Sequence, residues 1–187
     1  TVHLLMNHIG THDTERILTV LGGEPLNGRD REWQSRTKLS QEQRSKGLAL
    51  LKLASLMQYT LPGIPCVYYG DEAGMEGYRD PFNRGCFPWG HEDAELVNWY
   101  RSLGKIRHSC KVLTMEPYYA DDDCFVYIRS DEAVGQKLLI AVNRTAQRKQ
   151  LFMAQEWETA SALLGKAVWN HTLVLEPYGY ALLFSGK

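Results

Sequence analysis

Beyond Pro117 the apolar residues stop recurring at helical spacing and begin to alternate in short runs. These are CFVYI (124–128), LLIAV (138–142), LFM (151–153), ALL (162–164), AVW (167–169), LVL (173–175) and YALLF (180–184). Turn residues separate them: Asp121-Asp122-Asp123, Asn143-Arg144-Thr145, Gly165-Lys166 and Pro177-Tyr178-Gly179. Successive side chains of a strand point to opposite faces, so closely spaced runs of this kind predict an antiparallel β-sandwich. Nothing ahead of Cys110 has that period. The chain therefore holds two structures, divided between Cys110 and Pro117 into residues 1–112 and 113–187.

The first part reads strand, helices, strand. VHLLM (2–6) is an apolar run that opens into a polar loop, NHIGTHDTER, as a buried strand would. A short helix from Thr14 to Leu21 stops at Gly22-Gly23, and the charged residues 24–39 form a solvated connection. Ser40 with Gln43 makes a capping box. Leu50, Ala54, Met57 and Leu61 follow on one face, widened by Leu53 and Leu56, with Lys52 and Gln58 outside it. Pro62-Gly63 ends this helix, and Cys66-Val67-Tyr68-Tyr69 has the continuous apolar character of a parallel strand covered on both faces. Residues 70–90 are Gly-rich, aromatic and aperiodic, which marks a functional loop. A last helix spans about His91 to His108, with Leu96, Tyr100, Leu103 and Arg107 at helical spacing.

Composition removes several function classes. The 187 residues carry 21 basic and 22 acidic side chains, so no net positive field exists to hold nucleic acid. With 5 Trp, 10 Tyr and 5 Phe the chain is not of disordered type. No apolar run approaches the ~20 residues of a membrane span, and nothing at the start resembles a signal peptide, so no membrane partner and a cytoplasmic location are expected, with an extracellular one as the alternative. The chain opens at Thr1 already close to an apolar run, and reads as a piece of something longer. Cys66, Cys86, Cys110 and Cys124 form no CxxC pair and read as reduced structural thiols.

Two parallel strands with their helices make no sheet of their own, so the first part is the tail of a larger α/β domain. Ligand sites of such domains lie at the C-terminal ends of the strands. There the sequence gathers His8, His12, Asp13, Glu15 and Arg16 after the first strand, and Asp71, Glu72, Arg79, Asp80 and Arg84 after the second. His8, His12 and Asp13 lack any ordered metal-ligand spacing, so no metal is expected. Asp13 with Asp71 or Glu72 could be an acid–base pair, but a rim salt bridge or a helix-capping carboxylate is the better reading of spacing alone. The sequons Asn143-Arg144-Thr145 and Asn170-His171-Thr172 read as ordinary turns.

At this point the residues become recognisable. Asn7-His8-Ile9-Gly10-Thr11-His12-Asp13-Thr14-Glu15-Arg16 resembles the late His-Asp motif of the α-amylase superfamily of glycoside hydrolases. The run from Pro62 to Met75, PGIPCVYYGDEAGM, is similar to its last barrel strand and following loop. Asp80-Pro81-Phe82-Asn83-Arg84 ahead of Pro88-Trp89 resembles the neopullulanase and cyclomaltodextrinase branch, although many relatives carry two basic residues where this chain has Arg84-Gly85.

The resemblance implies the C-terminal portion of a (β/α)8 barrel followed by an antiparallel β-sandwich. Asp13 matches the carboxylate that stabilises the oxocarbenium-like transition state, and His12 the imidazole beside it that binds the same ring. Arg16, Asp80 and Arg84 are the further substrate-binding candidates. The nucleophilic Asp and acid/base Glu of the family belong to earlier strands, and nothing here resembles those motifs. The implied partner is an α-glucan oligosaccharide or polysaccharide. No cofactor is called for, the sequence is nearly silent on calcium, and the whole enzyme has room to be a homodimer.

An α-glucan transglycosylase or branching enzyme is the close variant of this reading. The different class is a non-catalytic carbohydrate-binding or interaction module, which would need an aromatic platform drawn from Tyr118, Tyr119, Trp157 or Trp169.

Overall fold

The computed structural model describes residues 4–186, and its first regular element is a strand of three residues, β1 (Met6–His8). The apolar run expected to form it meets it only at Met6. Residues 2 and 3 lie outside the described residues, while Leu4 and Leu5 are exposed. Helix α1 (Ile17–Gly22) starts later than Thr14, because Thr11 and Thr14 tie residues 11–14 into a side-chain-bonded turn. It ends as expected at Gly23, whose amide donates to Thr19 O at 2.8 Å.

A second helix, α2 (Arg31–Arg36), corrects the reading of 24–39 as mere connection. Asp30 Oδ1 caps the Trp33 amide at 2.7 Å, and Glu32 and Arg36 pair one turn apart at 2.9 Å. The capping box at Ser40 forms as read: Ser40 Oγ accepts from the Gln43 amide at 3.2 Å, and Gln43 Oε1 from the Ser40 amide at 2.9 Å. It opens the longest helix, α3 (Gln41–Thr60).

Gln58 does not lie outside the apolar face of α3. It is buried, because its Nε2 donates to Asn7 O at 2.8 Å and Cys66 O at 2.9 Å. One amide thus ties the helix to both strands of the sheet that follows. Gly63, at φ +116°, turns the chain out of α3, and Ile64 N donates at once to Leu5 O at 2.7 Å. The second strand, β2 (Ile64–Cys66), consequently begins two residues before the CVYY run and leaves Val67–Tyr69 irregular. It pairs in parallel with β1, Met6 opposite Ile64 and His8 opposite Cys66. The coverage on both faces expected of the second strand is not met at Ile64, which is half-exposed.

Residues 70–90 form an irregular loop with one 3-10 turn at Phe82–Arg84. Helix α4 (Ala94–Ser109) follows, capped by Asp93 Oδ1 on the Leu96 amide at 3.0 Å. Leu96, Trp99, Tyr100 and Leu103 are its buried face. The Trp99 indole N–H donates to Ser55 Oγ of α3 at 2.9 Å.

The chain divides into two compact units, Thr1–Tyr59 with Gly63–Gly104 and Thr60–Pro62 with Lys105–Lys187. Beyond the end of α4 the second unit is built of strands, with one 3-10 turn at Gln155–Trp157. Its strands are β3 (Glu116–Ala120), β4 (Cys124–Asp131), β5 (Gln136–Asn143), β6 (Lys149–Phe152), β7 (Ser161–Gly165), β8 (Thr172–Leu175) and β9 (Tyr180–Ser185). One antiparallel sheet runs β3-β4-β5-β9-β7 and a second pairs β6 with β8. Val126, Leu139, Ala141, Ala181 and Leu183 of the first meet Leu151, Leu173 and Leu175 of the second, with Met153 and Trp157 between them. That is the expected sandwich.

Three details differ from the sequence reading. Edge strand β3 was not foreseen, because its EPYYA residues are all exposed and so show no alternation. AVW is not a strand. Trp169 makes a single bridge to Thr172 across Asn170 and His171, both at positive φ, so the run leads into a two-residue turn. Leu138 to Val142 are buried on both faces of β5, which explains their continuous apolar run.

Polar groups in this unit are likewise committed. Arg129 is buried, and its guanidinium donates to backbone carbonyls of Thr60, Val112, Leu113 and Thr114. Asn143 is fully buried, its amide donating to Gln147 O and Glu176 O. The first sequon is therefore a turn organiser. Among the aromatic candidates Trp157 is core, Tyr118 and Tyr119 are partly exposed, and Trp169 is 84% exposed. All four cysteines are unpaired.

Candidate active site

The loop that leaves β1 is shaped by its own side chains. Thr11 Oγ1 accepts from the Asp13 amide at 3.2 Å, and Thr14 Oγ1 from the Thr11 amide at 3.1 Å. These bonds turn Asp13 outward, where its side chain is 74% exposed. Asp13 Oδ1 lies 3.3 Å from His12 Nε2 and 3.9 Å from Arg84 Nη2, and Arg84 Nε in turn meets Asp80 Oδ1 at 2.9 Å. Four of the five candidate residues thus stand together as a chain in which side-chain nitrogens and carboxylates alternate, drawn from the loops after the two strands. Exposed ion pairs of this sort add little stability. What they provide is a rim with two carboxylates, of which Asp13 is flanked by the nitrogens of His12 and Arg84, suited to a polyhydroxylated ligand.

Arg16 corrects the expectation. It is 1% exposed and touches no open surface. Its Nη1 donates to Tyr69 O and to Asp71 Oδ1, the latter at 3.2 Å, and its guanidinium carbon lies 4.3 and 4.6 Å from the rings of Tyr68 and Tyr69. An arginine so enclosed cannot bind substrate; it locks the two loops together underneath the rim. Glu15 and Arg79 add a second tie at 3.2 Å, and Arg16 N donates to Gly77 O at 2.9 Å. Gly10 makes room for the lock, since a Cβ there would stand 2.6 Å from Asp71 Oδ2.

Asp71 is accordingly the counter-ion of Arg16, in a buried pair and not in a bridge at the rim. Burial pushes its carboxyl up to about 6, a displacement that the Arg16 hydrogen bond and charge only partly offset. Between the ordinary carboxylate value and about 6 the folded chain binds a proton that the unfolded chain has released. The contribution of Asp71 to stability therefore falls as pH rises through that window and is level above it. A carboxyl-carbon NMR titration should place the Asp71 midpoint near pH 6; a midpoint at or below 4 would contradict this.

Asn83 escaped the sequence reading. It is fully buried in the 3-10 turn, and its Nδ2 donates to His12 O at 2.8 Å and Thr14 O at 2.6 Å. An asparagine between Phe82 and Arg84 in an aperiodic loop carries no pattern that would reveal such a role. Among the described residues no group of three or more His, Cys, Asp or Glu side chains is placed to hold a metal ion.

Comparison with known proteins sets this geometry in context. The family model "Alpha amylase, catalytic domain" matches residues 2–116, more than half of the chain. The chain belongs to the α-amylase family. An amylopullulanase of Thermoanaerobacter thermohydrosulfuricus is 41% identical over 129 residues, covering 66% of this chain and 8% of that protein. A cyclomaltodextrinase of Geobacillus thermopakistaniensis is 31% identical over 190 residues, covering 94% of this chain and 28% of that protein. The chain therefore spans less than a third of the length of either relative. A crystal structure of an Anoxybacillus α-amylase superposes with a TM-score of 0.76 at 23% identity, over 98% of this chain and 38% of that one. The α-amylase-family fold class is accordingly the closing portion of a (β/α)8 barrel, carrying β1 and β2, followed by an antiparallel β-sandwich.

Proposed function

We propose that this chain forms the C-terminal part of a retaining glycoside hydrolase acting on α-glucosidic bonds of starch-type glucans, maltooligosaccharides, pullulan or cyclodextrins. The names of its relatives, an amylopullulanase and a cyclomaltodextrinase, support that substrate class. The single observation that carries the reading is the cluster of His12, Asp13, Asp80 and Arg84 at the C-terminal ends of two parallel strands. There Asp13 stabilises positive charge developing on the sugar ring, while His12 and Arg84 hold ring hydroxyls and Asp80 orients Arg84.

The chemistry needs more than these residues. A retaining mechanism uses a nucleophile and a proton donor about 5–5.5 Å apart flanking the glycosidic bond. Asp13 steadies the ring without attacking it, and Asp71 is tied to Arg16. The complete enzyme supplies both missing groups from earlier barrel strands. Reducing-sugar release should therefore be ready in the complete enzyme and absent from the 187-residue chain on starch, pullulan and cyclodextrin. Robust release by the chain alone, abolished by changing Asp71 or Glu72, would overturn the assignment. Retention of the chain on a starch matrix without release would instead favour the binding-module reading.

A further inference from the structure

The two hydrogen bonds of Asn83 end on the carbonyls of His12 and Thr14, the residues before and after Asp13. A primary amide has two N–H donors in one rigid plane. Both are used, at 2.8 and 2.6 Å, so a single planar group holds the His12–Asp13 and Thr14–Glu15 peptides, which bracket the residue bearing the proposed catalytic carboxylate. The Asp13 side chain cannot fix itself, being held only by exposed ion pairs. The gripping residue is well anchored: Phe82 N donates to Arg79 O at 2.9 Å and Arg84 N to Pro81 O at 3.0 Å, closing the turn around it.

A further feature argues that the grip serves more than folding. Asn83 Oδ1 is buried and finds no partner among the described residues. A buried acceptor without a donor destabilises the folded state, so Asn83 carries a handicap beside its two bonds. Groups kept against such a handicap are often those that a functional site requires.

We propose that Asn83 is a positioning residue that sets the orientation of Asp13 by holding the carbonyls of His12 and Thr14. The proposal rests on the reading of Asp13 given above. Displacing a catalytic group by about 1 Å can lower turnover about 100-fold, and a slack 11–14 turn permits displacements of that size.

The test is a double-mutant cycle in the complete enzyme, measuring kcat and KM on a maltooligosaccharide below the melting temperature of each variant. Asn83→Ala should lower kcat about 10- to 100-fold while KM moves less than about threefold. Combined with Asp13→Asn it should lower kcat little further, because misplacing a disabled group costs nothing more. A purely structural Asn83 would give losses that multiply. Asn83→Asp keeps the shape and serves if the alanine variant fails to fold. Ionised, it presents oxygen to two carbonyls; protonated, it can donate to one, so its deficit should shrink as pH falls. Full kcat in either folded variant, or multiplying losses, overturns the proposal while leaving Asp13 in place. Near wild-type turnover in Asp13→Asn alone overturns the reading beneath it.

Discussion

Replacing Asp13 by Asn in the complete enzyme is expected to lower turnover on the order of 100- to 1,000-fold, with the fold intact. Asparagine keeps the shape but cannot supply the negative charge that complements an oxocarbenium-like transition state, and a single preorganised electrostatic contact is worth about that much. The fold should not notice. Asp13 is largely exposed, and its contacts with His12 and Arg84, at 3.3 and 3.9 Å, are solvated. Its local turn is made by the Asp13 amide and the two threonine hydroxyls, which the substitution leaves alone. Matched melting curves beside collapsed kcat would be the signature. Glu72→Gln is the comparison, with a clearly smaller loss. Near wild-type turnover by Asp13→Asn would remove this residue from the proposed chemistry.

Trp157→Ala should destabilise the β unit by about 3–5 kcal/mol, among the largest losses any single core truncation can give. Trp157 is fully buried in the 3-10 turn after β6, in the core between the sheets with Met153, Leu173 and Leu183. The same site offers an internal control. The indole Nε1 has no hydrogen-bond partner among the described residues, so removing it sacrifices no bond. Trp157→Phe should therefore lose only part of that amount, about 1–2 kcal/mol from reduced packing. Urea unfolding followed by circular dichroism would report both. An alanine variant losing less than about 1 kcal/mol would show that the sandwich core closes without this ring.

What the sequence disclosed was whatever a few neighbouring residues decide among themselves. Ser40 and Gln43 cap α3 from three residues apart, Pro62-Gly63 ends it, and the alternation in CFVYI and YALLF needs only one strand to be visible. Asp13, His12, Asp80 and Arg84 could be gathered because strand ends and loop charges are local signals, and the family resemblance ordered them. Partnerships over long sequence separation stayed hidden. Gln58 looked like a solvent-facing residue until its two acceptors, 51 and 8 residues away, came into place. Arg16 looked like a free cation at a rim, and only its pairing with Asp71, 55 residues on, shows it to be interior. Asn83 stood inside a family motif, but nothing local marked its bonds to carbonyls 71 and 69 residues away. β2 shifted because Gly63 lets the ladder start earlier than the apolar run would place it.

Gln58 also has a bearing on how freely this region can be rewritten. Its acceptors, Asn7 O and Cys66 O, are main-chain atoms that any residue would offer. Apart from Asn7, whose Nδ2 donates back to Gln58 O at 3.3 Å, the side chains of β1 and β2 can therefore be exchanged, by design or by recombination between relatives, without undoing the anchor. The constraint is concentrated instead at one helical position, which must keep a side-chain amide of that length. A library that varies the strands and holds position 58 constant would explore new rims on an unchanged mount.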